Sequence, residues 1–258
     1  MGHWKVLENA NRVLVIEKGG TLTPGKERNR YIPVPVEFWK LGQLKKLEAV
    51  EFLRLIQKKF GKIGIVVGED FRFGINRQGN ISLLKNYFPV KVIKEIKIEG
   101  VGIHSHIIKN YFKKGEIEKG NRFLGRPYRI WGEEIIGQGL GKRVLLPTIN
   151  LQLKLPFFLP RPGVYATRLE GAPSLTFIGI RSTDGQFSLE AHLLGKWKEK
   201  ERKLEGEMGV IRKDRAMELH FLHFFRPIRN FLSLKKLKNQ LERDLEKGYN
   251  YFKGEVRF

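Results

Sequence analysis

The sequence predicts an open α/β domain followed by a six-stranded antiparallel β-barrel that ends in a helix. Three observations carry this. In residues 1–122, apolar runs of strand length alternate with segments of helical spacing, the pattern of an α/β domain. From Arg126 onward, six strand-like runs follow one another at short spacing, separated by Gly, Pro, Asp or charged stretches, the pattern of a barrel. Near the C-terminus, Leu234, Leu237, Leu241 and Leu245 form one helical stripe.

Taken in order, "VLVIEK" (13–18) is a short strand. Residues 47–61 then place Ala49, Phe52, Leu53, Ile56 and Phe60 on one helical face, and Gly61 closes that helix. "IGIVVG" (63–68) is a continuous apolar run between glycines, as in a parallel strand buried on both faces. Residues 104–125 are helical in two short pieces. The barrel runs are "YRIWGEEII", "RVLLPTINLQL", "GVYATRLE", "SLTFIGI", "FSLEAHLL" and "MELHFLHFF". Ser233 is placed to N-cap the final helix, which is expected to pack on the barrel and to stop at Gly248. Residues 196–215 are highly charged without clear periodicity and are expected to form a loop or a long exposed hairpin.

Composition narrows the functional classes. The 258 residues are 41% hydrophobic, enough for a buried core, and contain no cysteine, which excludes disulfides, thiolate metal sites and a cysteine nucleophile. Any metal is therefore held by oxygen or histidine, and Mg²⁺ is the easiest to accommodate. No run approaches the roughly 18 to 20 apolar residues of a membrane span, and "MGHWK" lacks the layout of a signal peptide, so a cytoplasmic protein without a membrane anchor is expected. The balance of 49 Lys+Arg against 27 Asp+Glu, a formal charge of +22, suits polyanions. The cations are scattered and no recognition motif accompanies them, so nucleic-acid binding stands as a remote alternative. Nothing in the sequence sets an oligomeric state.

The candidate chemistry centres on "GQGLGKRVLLPTIN" (137–150). Its glycines allow a phosphate cradle or a plain hairpin, and the residues alone leave both readings open. It matches neither G-x-x-x-x-G-K-[ST] nor G-x-G-x-x-G, since Lys142 occupies the sixth position of the latter. Any phosphate there is held by backbone N–H groups and Lys142. Thr148 and Asn150 lie two apart on a strand and so on one face. Glu190 and His192 repeat that spacing in an otherwise apolar run, where a charge seldom sits without a partner or a task. A carboxylate near a phosphate cradle can take a proton from an attacking hydroxyl. His104 and His106, read as helical, point away from each other and are not expected to share a metal.

The blocks "GRPYRIWGEEIIGQGLGKRVLLPTINL", "RPGVYAT", "FIGIRST", "LEAHLL" and "FFRPIRNFLSLKKLKNQLERD" resemble, in order and spacing, the kinase module of the bacterial bifunctional riboflavin kinase/FAD synthetase (FMN adenylyltransferase) family. "VVGEDFRFGINRQGN" (66–80) is similar to the V-G-x-[DN]-F-x-F-G signature of its Rossmann-like nucleotidyltransferase domain, and "KGEIEKGNRFLGRPY" resembles the junction. The resemblance implies a first domain at 1–122 and a riboflavin kinase domain at 123–258. ATP, riboflavin, FMN and FAD are then substrates or products, and Mg²⁺ is the cofactor. In the kinase domain it implies that Thr148 and Asn150 meet Mg²⁺ and the ATP phosphates, that Gly137, Gly139, Gly141 and Lys142 cover them, that Glu190 is the general base, and that Arg226 lies near the flavin. Phosphoryl transfer asks mainly for positioning, charge neutralisation and an oriented nucleophile.

The first domain departs from the family pattern. Members carry G-x-F-D-G-x-H-x-G-H, whose histidines sit on ATP phosphates; Gly2 and His3 stand at its last two positions, and the strand, aspartate and first histidine are absent. A misplaced start or a truncated chain is the expected cause. The family's I-S-S-T-R-I-R segment here reads "IHSHIIK" (103–109), and Lys109 keeps the charge of the last arginine without its fork. Asp70 and Phe71 fit the flavin-side signature, and Glu116 replaces an aspartate there. Adenylylation therefore depends on the natural N-terminus. The alternative is a riboflavin kinase with a non-catalytic α/β scaffold.

Overall fold

The computed structural model describes residues 4–135, 146–180, 185–194 and 216–255. Within it the chain forms two compact units, one of Met1–Ile107 with Leu155–Phe157, the other of Ile108–Lys154 with Phe158–Phe258.

The first unit contains helix α1 (Trp4–Leu7) and strands β1 (Val13–Glu17) and β2 (Val36–Lys40), which pair in parallel with Val13 opposite Val36. Helices α2 (Leu41–Leu44) and α3 (Ala49–Phe60) follow, then β3 (Ile65–Gly68), α4 (Ile81–Lys85) and β4 (Val90–Ile93). Strands β3 and β4 form a second parallel pair, and β5 (Lys97–Ile98) with β6 (Val101–Gly102) a small antiparallel one. Helix α3 forms where its spacing predicts. Glu48 and Glu51 close a capping box at its start, Ala49, Phe52, Leu53 and Ile56 are buried, and Gly61 leaves the helix at φ 70°. Those side chains join Val67, Phe73, Leu84 and Phe88 in one apolar core.

Strand β3 departs from expectation. Only Val67 is buried, because β3 has a single partner strand among the described residues and is not enclosed in a wider sheet. Helix α5 (Ser105–Lys114) runs across the division between the units.

The second unit holds α6 (Ile117–Leu124) and strands β7 (Tyr128–Ile135), β8 (Ile149–Leu153), β9 (Gly163–Leu169), β10 (Ala172–Ile180), β11 (Phe187–Leu193) and β12 (Ala216–Pro227). The six strands close into an antiparallel barrel in the order β10-β11-β8-β7-β12-β9, as the run spacing predicts. Alternation along each strand separates two faces. The inner face carries Tyr128, Ile130, Tyr165, Leu169, Ile178, Leu189, Leu219 and Phe221, all fully or almost fully buried. Thr167, Ser174 and Thr176 are also buried there, and their hydroxyls bond one another at 2.7 Å, so no polar group is stranded. Tyr128 donates its hydroxyl to the Phe158 carbonyl at 2.6 Å and Tyr165 donates to that of Arg161, tying the 158–161 segment to the barrel. Burial pushes both phenols above their ordinary pKa.

On the outer face Val164, Ala166, Leu175 and Phe177 are covered by α7 (Leu234–Glu255) through Leu245, Tyr251 and Phe252. Ser233 caps α7, its hydroxyl accepting from the Lys236 N–H at 3.3 Å. The helix differs from expectation at both ends of its stripe. Leu234 is exposed, and α7 continues seven residues past Gly248. Gly248 is a point of close approach, where a Cβ would lie 3.0 Å from the Leu175 and Leu194 side chains, and the burial of Phe252 holds the additional turn.

Candidate active site

The expected kinase-site residues on β8, β11 and β12 lie on the outer wall of the barrel. β8 and β11 pair with Asn150 opposite Glu190 and Ile149 opposite Ala191, so Asn150 and Glu190 share the outer face. Glu190 is only partly buried, so its carboxylate is open to a ligand. Its Oε1 accepts from the Ser188 hydroxyl at 2.5 Å and its Oε2 from the Thr148 hydroxyl at 3.5 Å. The carboxylate is thus oriented by hydroxyls from its own strand and from the turn into β8. Ser188 was not among the expected site residues, although its place two before Glu190 puts it on the same face by strand alternation.

The same row continues round the barrel. Glu190 stands opposite Phe177, Phe177 opposite Val164, and Val164 opposite Arg226. Arg226 lies three strands from Glu190, on the order of 14 Å along the sheet. Its guanidinium is buried and forks onto Asp244 of α7, with Nε 3.0 Å from both carboxylate oxygens and Nη2 2.6 Å from Oδ2. Nη1 donates to the Pro227 carbonyl at 3.1 Å, and Gln240 donates to Asp244 at 2.9 Å. These bonds use three of the five guanidinium hydrogens. Arg226 also lines a pocket of about 270 Å³ with Phe225, Arg229, Gln240, Arg243, Glu246 and Lys247. Asp244 has no counterpart in the sequence reading, and a partner eighteen residues away on another element leaves no local signal.

Thr148, Asn150 and Glu190 are thereby brought together. Gly137, Gly139, Gly141 and Lys142 lie outside the described residues, as do Gly2, His3 and the charged segment 196–215.

The other expected residues divide between the units. In the first, Asp70 is exposed and Phe71 stacks on buried Phe73 at 5.5 Å. His104 Nδ1 lies 3.9 Å from Asp70 and its Nε2 2.6 Å from Glu95. Helix α5 starts at Ser105, so His104 precedes it, and the His104 and His106 rings stack at 5.4 Å where the helical reading separated them. In the second unit, Lys109 Nζ lies 5.6 Å from the Phe158 ring centroid. Glu116 stands at the N-cap position of α6 without a side-chain capping bond and pairs with Lys119 at 3.0 Å.

A family model described as riboflavin kinase covers residues 124–252, and one described as FAD synthetase covers 36–109. The bifunctional riboflavin kinase/FMN adenylyltransferase of Buchnera aphidicola (from Schizaphis graminum) is 31% identical, over 80% of this chain and 67% of that protein. The chain belongs to the bifunctional riboflavin kinase/FMN adenylyltransferase family. The namesake from Pseudomonas fluorescens is 30% identical over 79% of this chain and 65% of its own length. The chain thus spans about two thirds of the length of these curated relatives. A crystal structure described as that of a macrolide-efflux protein from Streptococcus pneumoniae shares the fold. It has a TM-score of 0.76 at 21% identity and covers 96% of this chain and 90% of that one. Among the described residues no helix is long and apolar enough to cross a membrane.

Proposed function

We propose that this member of the family is a cytoplasmic flavin-cofactor enzyme whose barrel transfers the γ-phosphate of ATP to the 5′-hydroxyl of riboflavin. The observation that carries the reading is the outer-wall cluster of Glu190, Thr148, Ser188 and Asn150. In the proposed step a Glu190 carboxylate oxygen takes the proton of the ribityl hydroxyl. That hydroxyl oxygen bonds to the γ-phosphorus, the bond from the γ-phosphorus to the β–γ bridging oxygen breaks, and ADP leaves. Ser188 holds the carboxylate through Oε1, leaving Oε2 to face the substrate side with Thr148.

The residues fit Mg²⁺, since the Thr148 hydroxyl and the Asn150 amide oxygen offer oxygen donors on one patch, beside the negative charge of Glu190. Bound there, Mg²⁺ neutralises phosphate charge. Thr148 and Asn150 would hold it, with the glycine-rich segment 137–142 over the phosphates. Arg226 enters as the flavin-side cation, through the guanidinium hydrogens not committed to Asp244 and Pro227 and the pocket they line. A functional division at 122/123 is part of this proposal; a riboflavin kinase match that begins at 124 supports it, while the compact units divide at 107/108.

Where the rest of its N-terminal motif is supplied, the first domain is proposed to adenylylate FMN to FAD, with Asp70 and Phe71 serving the flavin; Glu116, Gly2, His3 and Lys109 keep the flavin and ATP roles that the family resemblance implies. Incubating the chain with riboflavin, ATP and Mg²⁺ and separating the flavins tests both halves. FMN is the expected product, FAD beside it supports a working first site, FMN alone is the result of a first unit that lacks the rest of its motif or serves as a scaffold, and no FMN refutes the kinase reading. Thr148→Ala is expected to weaken MgATP binding about tenfold, the worth of one lost ligand or hydrogen bond, in a calorimetric titration. Unchanged affinity would remove Thr148 from the metal side.

A further inference from the structure

His192 is nearly buried, at 5% exposure, on the β11 face that it shares with Glu190, and phosphoryl transfer as described makes no use of it. Its Nδ1 lies 2.7 Å from the Pro147 carbonyl oxygen. A carbonyl only accepts, so the ring carries its proton on Nδ1 and donates it there. The register explains why a side chain is needed at this point. β8 and β11 pair Asn150 with Glu190 and Ile149 with Ala191, and one step further His192 falls opposite Thr148, where the ladder has ended. Pro147 has no N–H to continue it. Pro147 and Thr148 therefore precede β8 and lie outside its ladder with β11, and the His192 side chain reaches the Pro147 carbonyl where the ladder does not. On its other side His192 stands opposite Leu175, which is packed in the apolar cluster under α7, so the ring is backed by a fixed wall.

We propose that His192 is a positioning residue for the MgATP side of the kinase site. By anchoring the Pro147 carbonyl it sets where the Thr148 hydroxyl stands relative to Glu190, joining the general base and the phosphate-binding turn through two residues of one strand. This rests on the riboflavin kinase reading above. It assigns His192 no contact with either substrate and no protonation change during the reaction. The effect is geometric: without the anchor the Thr148 turn samples positions from which it no longer meets MgATP, while Glu190, held by Ser188, keeps its place.

The test is steady-state formation of total phosphorylated flavin by the full chain and by three variants, with thermal midpoints measured alongside. His192→Leu fills the site without a donor, His192→Asn places an amide N–H near the Nδ1 position, and His192→Gln carries the amide beyond it. His192→Leu and His192→Gln are expected to raise KM for MgATP about tenfold, the worth of one hydrogen bond, while kcat falls less than about threefold and KM for riboflavin is unchanged. His192→Asn is expected to restore the wild-type KM. If His192→Leu does not fold, the contrast between Asn and Gln decides. Wild-type KM for MgATP in the Gln variant, an equal rise for riboflavin, or failure of Asn to rescue at an unchanged thermal midpoint would overturn the role. A wild-type chain that makes no FMN overturns the kinase reading itself and this role with it, an outcome separate from an active enzyme indifferent to His192.

Discussion

Glu190→Gln is expected to lower kcat for FMN formation by about 10²- to 10⁴-fold, the usual worth of a positioned general base. The substitution is nearly isosteric. Its amide oxygen still accepts from the Ser188 hydroxyl, now 2.5 Å from Oε1, so β11 and the barrel wall are left in place. The ability to take a proton is lost, since an amide is not a base in this range. KM for MgATP is expected to change less than about threefold, because Thr148 and Asn150 remain and the Thr148 turn is still anchored by His192. Single-turnover rates with riboflavin and saturating MgATP separate the chemical step from product release. A variant that turns over at the wild-type rate takes Glu190 out of the base role. This pattern, kcat lost and KM kept, is the reverse of that expected at His192, so the two residues are distinguishable by the same assay.

Asp244→Ala is expected to destabilise the barrel unit by about 3–5 kcal/mol, the cost of leaving a buried charge without its partner. Asp244 is 2% exposed and Arg226 8%, and the guanidinium reaches Asp244 through both Nε and Nη2. With the carboxylate gone, Gln240 loses its acceptor as well. For a unit of this size a loss of that order corresponds to a fall of roughly 10 °C in thermal midpoint. The paired replacement Arg226→Met with Asp244→Leu is expected to recover most of the loss, since a buried ion pair and a packed apolar pair differ little in net stability. Urea denaturation of the single and double variants checks both. A single variant within about 1 kcal/mol of wild type would mean that water reaches the guanidinium and that the link between β12 and α7 contributes little. The same double variant separates structure from flavin binding: if it folds normally and KM for riboflavin rises, Arg226 serves the ligand as well as the helix.

How far the sequence reaches into this fold can be seen by comparing α3 with α7. In α3 the capping residues, the apolar face and the closing Gly61 are all local, and the helix forms where they place it. In α7 the local stop signal at Gly248 is overridden, because the glycine lets the helix press against Leu175 and Leu194 and the following turn buries Phe252. His104 and His106 show the same limit, since one residue at the start of α5 decides whether their rings separate or stack.

The candidate site divides similarly. Asn150, Glu190 and their shared face are legible from the two-residue period of strands and from family motifs, and Thr148 from the motif alone, since it precedes β8. The register that sets Asn150 opposite Glu190, the hydroxyl bridge from Thr148, the anchoring of Pro147 by His192 and the Arg226–Asp244 fork are not. By itself the sequence determined the order of elements, the face each polar side chain takes and the family, because periodicity, capping and motif spacing are properties of neighbouring residues. Only the tertiary structure decided which of those faces meet and how each carboxylate is held, because closing the barrel pairs residues some forty positions apart, and pairings at that distance depend on the packing of the whole unit.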